Sequence, residues 1–238
     1  MDVVYTVKYS DVNEELLYSL RSLCNVPHER VYLVGGRPNG INKDNVIHVP
    51  VPAMTSKYDT TTNNLYEICK LEELSDNFIW MNDDFYILQK IEDPVKELKL
   101  HKGYLNSNIE EYRARNAGRL SKYMYGVEQT CKYLKSIGVK TPYDYELHIP
   151  FVYNKYNVRS MFNLSGIFTI PMLQPRSVYG NLYTKNCTET KDCKILRATV
   201  VDNVDLSSRK FLSSSDKTWV KVKDFLAEKF KEKCEYEI

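Results

Sequence analysis

The chain has no window approaching eighteen consecutive apolar residues, and Met1-Asp2-Val3-Val4-Tyr5 offers neither a charged leader nor an apolar h-region. The sequence therefore predicts a soluble, cytoplasmic protein without a cleavable export signal. Neither charge is in surplus: Lys and Arg total 33 against 31 Asp and Glu, a net charge of +2. Bulk charge thus announces no nucleic-acid or membrane partner, and only local clustering can argue for one. The six cysteines, at 24, 69, 131, 187, 193 and 234, contain no CxxC pair or other metal spacing. Free thiols in a reducing compartment are the expectation, with a Cys187–Cys193 bridge or metal site as the alternative. There is no internal repeat, and the glycines supply neither a GxGxxG nor a P-loop spacing, so Gly35-Gly36 reads first as a turn.

What is present centres on Ser75 to Leu88. Phe78 to Met81 is four large apolar residues without alternation, which suits a strand covered on both faces. Asn82, Asp83 and Asp84 follow at its carboxyl end, where open α/β sheets hold their ligands. Adjacent carboxylates repel each other, so a divalent cation or a cationic partner would account for the pair. The plainer reading is a turn in which Asp caps a helix or bonds its own backbone.

The rest of the chain predicts one α/β domain over 1–238, a mixed sheet flanked by helices with a helical, basic insertion at about 96–140. Val3–Val7 and Val31–Val34 read as the first two strands, and Val46–Val51, broken by Pro50, as an edge strand. Asn13 followed by Glu14 and Glu15 marks a helix start whose Leu16, Leu17, Leu20 and Leu23 face the core. A second helix is predicted over Asn64–Leu74. Lys57, just before it, is either placed to meet an anion or merely solvated. Seven Lys or Arg between 113 and 140 are interleaved with Tyr112, Tyr123, Tyr125 and Tyr133. Either a polyanionic acceptor or a solvated helix face explains that pattern. His148 suits metal ligation or proton transfer, against a structural role. Ile167–Met172 reads as a strand, and Pro175 to Asn181 as a polar loop in which Arg176 could clamp a phosphate. Ser207–Ser208 and Ser213–Ser215 read as loop, and Trp219–Phe230 as a closing helix with Val220, Phe225 and Phe230 inward.

The blocks Asp2-Val3-Val4-Tyr5-Thr6, Asn13 to Leu23, Arg30 to Val34 and Phe78 to Tyr86 together resemble the Stealth proteins, sugar-phosphate transferases with a GT-A-like fold. His148-Ile149-Pro150 is similar to a third block of that family. Val7-Lys8-Tyr9-Ser10 stands where the family carries Trp-Val-Asp-Gly, and the Arg176–Asn181 segment is more similar to small phage-encoded glycosyltransferases. The resemblance implies a nucleotide-sugar donor, a UDP-sugar foremost, faced by Arg21, Lys57, Asn64, Asn82 and Asn181. It implies Mn2+ or Mg2+ on Asp83 and Asp84 with His148 as third ligand or acid/base, and Asp84, His148 and Arg176 as the catalytic set. Arg113, Arg115, Arg119 and Lys122 would meet an acceptor, either a hydroxymethylated base in phage DNA or a glycan. Glycosyl transfer is the first expectation and sugar-1-phosphate transfer the second. A non-catalytic nucleotide- or glycan-binding domain is the third.

Overall fold

In a computed structural model, which describes residues 1–196 and 205–238, a five-stranded sheet forms the centre. Its strands run in the order β3 (Ile47–Val49), β2 (Val31–Gly35), β1 (Asp2–Val7), β4 (Asn77–Asn82) and β7 (Phe151–Asn154). The first four are parallel, and β7 closes the β4 edge antiparallel, with Phe78 opposite Tyr153 and Trp80 opposite Phe151. The apolar runs of β1, β2 and β4 follow from their position, because helices cover both faces of the sheet. Val3, Tyr5 and Val7 point to the face carrying α1 (Glu14–Arg21), where Leu16 and Leu20 meet them. Val4 points to the other face, where it meets Leu65 and Ile68 of α2 (Lys57–Ile68). Asn13 caps α1 by accepting from the Leu16 N–H, as the sequence predicts.

Beyond β4, the short β5 (Phe85–Ile87) is followed by α3 (Pro94–Glu97), β6 (Leu100–His101), α4 (Leu105–Arg115) and α5 (Lys122–Ser136). After β7 come α6 (Lys155–Phe162), α7 (Pro175–Tyr183), β8 (Thr188–Glu189), β9 (Phe211–Ser213) and α8 (Trp219–Lys229). β9 pairs antiparallel with β5, and β8 pairs parallel with β6. The last residues are stitched back over the molecule: Glu237 takes the Arg21 guanidinium bidentately, and the Ile238 N–H donates to Gly40. The six cysteines are free, and no helix among the described residues is long and apolar enough to cross a membrane.

Several local expectations are corrected. α2 begins at Lys57, because Ser56 caps it through the Asp59 N–H, and it ends at Ile68 instead of Leu74. Ile167–Met172 is no strand: Gly166, with φ +76°, leads into a 3-10 turn over Ile167–Thr169 that leaves Phe168 62% exposed. Pro175–Asn181 is the start of a helix with its proline in the first turn, where the missing N–H costs nothing. Val220 faces outward, and Val222 and Leu226 carry the buried stripe of α8. Ser213 belongs to β9, not to a loop.

Asp2 anchors the start of β1 from full burial. Its carboxylate accepts from Arg30 Nε and Nη2 at 3.0 and 2.8 Å and from the Ser75 N–H at 2.8 Å. Burial opposes its ionisation, but these donors outweigh that and hold the carboxyl below its ordinary value. A depressed carboxyl stabilises the fold fully above the unfolded value of about 3.9 and loses that contribution as pH falls toward its folded value. Asp2→Asn is therefore expected to melt below the parent protein at pH 7. The gap should close as pH falls below about 4 in a thermal-melting series.

Candidate active-site cleft

The sheet's strand order reverses at β1, which continues to β2 on one side and has β4 on the other. In open α/β sheets the crevice outside the carboxyl ends of such strands is where ligands bind. A cleft of about 530 Å3 lies there. Thr6 and Val7 from the end of β1, Gly35 from β2 and Asn82 from β4 line it. Gly35 has φ +98°, and a Cβ there would come within 2.5 Å of the Val7 carbonyl. Gly35-Gly36 thus lets the β2 exit pass against the β1 exit, which a side chain would prevent.

Asp83 and Asp84 sit on the tight turn between β4 and β5 and face this cleft. Asp83 accepts from the Asn13 side-chain amide at 2.7 Å, so the residue that caps α1 also holds the first acid. Asp84 accepts from Lys194 Nζ at 2.8 Å and from the Ser213 hydroxyl at 3.0 Å, both on Oδ2. Glu15 accepts from the Ser214 hydroxyl at 2.7 Å. Burial raises the Asp83 carboxyl above its ordinary value, and the neighbouring Asp84 charge adds to the rise. Burial likewise raises Glu15, with Asp83 and Asp84 contributing. Four acids, Glu15, Asp83, Asp84 and Asp216, thus share the cleft with three lysines, Lys8, Lys57 and Lys194.

Among the predicted site residues, Lys57, Asn82, Asp83 and Asp84 come together in the cleft. Asn64 lies beneath it, fully buried, donating to Thr6 Oγ1 at 2.8 Å. His148 does not join the two aspartates: among the described residues no three His, Cys, Asp or Glu side chains converge on one ion position. Its Nδ1 is instead 2.7 Å from Asp192 Oδ2, and its ring packs edge-on against Phe85. Burial works against the charge on Asp192, yet the bonds from His148 outweigh it and hold that carboxyl far below its usual range.

Arg176 is buried in α7, where its Nη1 donates to the Leu147 and Ile149 carbonyls and its guanidinium lies over the Phe85 and Phe151 rings. Asn181 clamps the Tyr143 backbone, accepting from its N–H and donating to its carbonyl, both at 2.8 Å. Arg21 is taken up by Glu237 and the Phe230 carbonyl. These three side chains spend their polar groups inside the protein. Arg113 and Arg115 pair with Glu128 and Glu111, while Arg119 and Lys122 are exposed where α4 turns into α5. Tyr123, beside Lys122, stacks on Tyr58, whose ring also carries the Lys57 ammonium. The basic tip therefore adjoins the α2 side of the cleft.

Sequence reasoning missed Glu15, Lys194, Ser214, Ser215 and Asp216 as cleft residues. Glu15 carried a signal already explained by helix capping. Asp216 followed a serine run that read as loop, and Lys194 had no local signal at all.

No family model matches the chain, and no characterised protein matches it by sequence. Solved glycosyltransferase structures share its fold, two of them over nearly the whole of this chain. The glycosyltransferase GlyE from Streptococcus pneumoniae TIGR4 superposes with a TM-score of 0.52 at 11% identity, over 97% of this chain and 60% of GlyE. The galactosyltransferase LgtC, solved with donor and acceptor sugar analogs, superposes with a TM-score of 0.52 at 9% identity, over 97% of this chain and 95% of LgtC. The chain thus spans less than two thirds of GlyE and nearly all of LgtC. A mostly parallel sheet flanked by helices, with its cleft at the switch point, gives this chain the fold of GT-A-type glycosyltransferases.

Proposed function

We propose that the chain is a glycosyltransferase that moves a sugar from a nucleotide-sugar donor, a UDP-sugar foremost, to an acceptor hydroxyl. The observation that carries this reading is the Asp83-Asp84 pair at the carboxyl end of β4, in a cleft that also holds three lysines. That LgtC has been solved with sugar analogs of both kinds supports it.

Among the described residues only the adjacent Asp83 and Asp84 carboxylates suit a hard divalent cation, which takes one or two carboxylate oxygens and completes its shell with water and substrate phosphates. Asp83 and Asp84 would hold the ion, which would offset charge on the departing diphosphate. The chain's own residues do the rest. Lys8 and Lys57 line the cleft and bring positive charge to the leaving phosphates. Lys57 does so at the amino end of α2, where backbone N–H groups add to its charge. Asn82 and Thr6 offer amide and hydroxyl groups to the sugar or nucleotide. His148, with Asp192 fixing its ring, is the acid/base candidate for the acceptor hydroxyl. Arg119 and Lys122 on the tip beside Tyr123 would steer an anionic acceptor toward the α2 side.

The test incubates the protein with Mn2+ and a panel of nucleotide sugars, with hydroxymethylated DNA and a glycan as acceptors, and identifies the nucleotide released. A nucleoside diphosphate is expected. A nucleoside monophosphate would mean that the phosphate travels with the sugar, as in the Stealth proteins. For a DNA acceptor, binding should weaken steeply with salt, and no binding at low salt removes that acceptor.

A further inference from the structure

Lys194 is set unlike the other cleft lysines. Its ammonium lies 2.8 Å from Asp84 Oδ2, on the oxygen that also accepts from Ser213, and the two side chains are only 20% and 15% exposed. The backbone carrying it is tied on both sides. Asp192 accepts from the His148 N–H and ring, and the Cys193 thiol donates to the His148 carbonyl. On the other side Lys194 bridges to Ser213, the Ile195 N–H donates to the Ser213 carbonyl, and Thr218 Oγ1 donates to the Ile195 carbonyl. The strap is fixed, and the four-carbon side chain is its movable part. An ammonium on Asp84 Oδ2 competes with a divalent cation for that oxygen and repels one held by either oxygen of the same carboxylate.

We infer that Lys194 is a built-in counter-ion on Asp84 that competes with Mn2+ or Mg2+ for this carboxylate and swings away when the ion takes Oδ2. The inference rests on the metal-assisted reading above. It adds that cation affinity is set by competition inside the protein. It also adds that the displaced ammonium, tethered by its strap, stays in the cleft as a further positive charge for the donor's phosphates. Without Lys194, Asp84 would face Asp83 and Glu15 with one fewer positive charge nearby, which favours a divalent ion.

The measurement is a titration with Mn2+ alone, free ion followed by electron paramagnetic resonance, on the full chain and on Lys194→Met and Lys194→Arg. Lys194→Met is expected to bind Mn2+ about tenfold more tightly than the parent, and Lys194→Arg no more tightly. Equal or weaker binding by Lys194→Met overturns the inference, as does a lack of Mn2+ binding by every form. In that last case the transferase reading is still judged separately by the nucleotide released. A second measurement needs no variant. Labelling of Lys194 by an amine-reactive reagent in the parent protein should rise severalfold on saturation with Mn2+. Unchanged labelling would also overturn the inference.

Discussion

Replacing Asp84 by Asn should lower turnover by about 10^2- to 10^3-fold, the effect of removing one preorganised electrostatic group from a transition state. The position lies on the turn that ends β4, with its side chain 15% exposed and bonded to Lys194 and Ser213. The amide keeps the shape and can still accept from Ser213, so the melting temperature should stay within a few degrees of the parent. The loss is therefore chemical, not structural. Initial rates of nucleotide release at saturating donor, beside a UDP titration of both proteins, make the comparison. A large fall in rate with UDP affinity little changed excludes a domain that only binds nucleotide or glycan. Turnover at the parental rate would remove Asp84 from the chemistry and, with it, the metal-assisted reading of the cleft.

Arg176→Met should act through stability. Arg176 is 6% exposed, and its guanidinium satisfies the Leu147 and Ile149 carbonyls between two phenylalanine rings. Burial raises the nearby Glu146 carboxyl, and the Arg176 charge opposes that rise. Removing one member of such a buried set leaves carbonyls and a carboxyl without their cation, a loss of about 3–5 kcal/mol. For a chain of this size that lowers the melting temperature by roughly 6–20 °C. Lys should not rescue it, since a single ammonium cannot reproduce the flat fork between the rings. A parental melting temperature with a fallen rate would instead put Arg176 at the leaving phosphate, the role that the sequence resemblance implies.

The parts of the site legible in the sequence are those where a local pattern and a global rule coincide. Phe78–Met81 is continuously apolar because β1 and β7 flank it and helices cover both faces, and the acids follow at its end because that is where the sheet opens. Asn13 was readable as a cap, although its second duty to Asp83 was not, since the two are 70 residues apart. The far wall was illegible for the same reason. Phe211–Ser213 is three residues long and becomes a strand only by pairing with Phe85–Ile87 across the fold, and Lys194 owes its place to that pairing. Arg176 misled because a proline–arginine start looks alike in a loop and in the first turn of a helix. Ile167–Met172 misled because its apolar residues pack in a turn, not in alternation.

The wall built from β9 and the 192–195 strap bears on folding order. The parallel core needs only residues up to Asn82, whereas the strap and Ser214–Asp216 reach the cleft through contacts with residues more than a hundred positions earlier. Contacts of such long range close late and open first. An intermediate with its sheet complete would still lack Lys194 opposite Asp84 and leave the two aspartates open to water. In native-state hydrogen exchange the amides of Ile195 and Leu88, bonded to Ser213 and Lys210, should accordingly exchange well before those of β1 and β2. The cleft would thus be the last part of this protein to exist and the first to be lost.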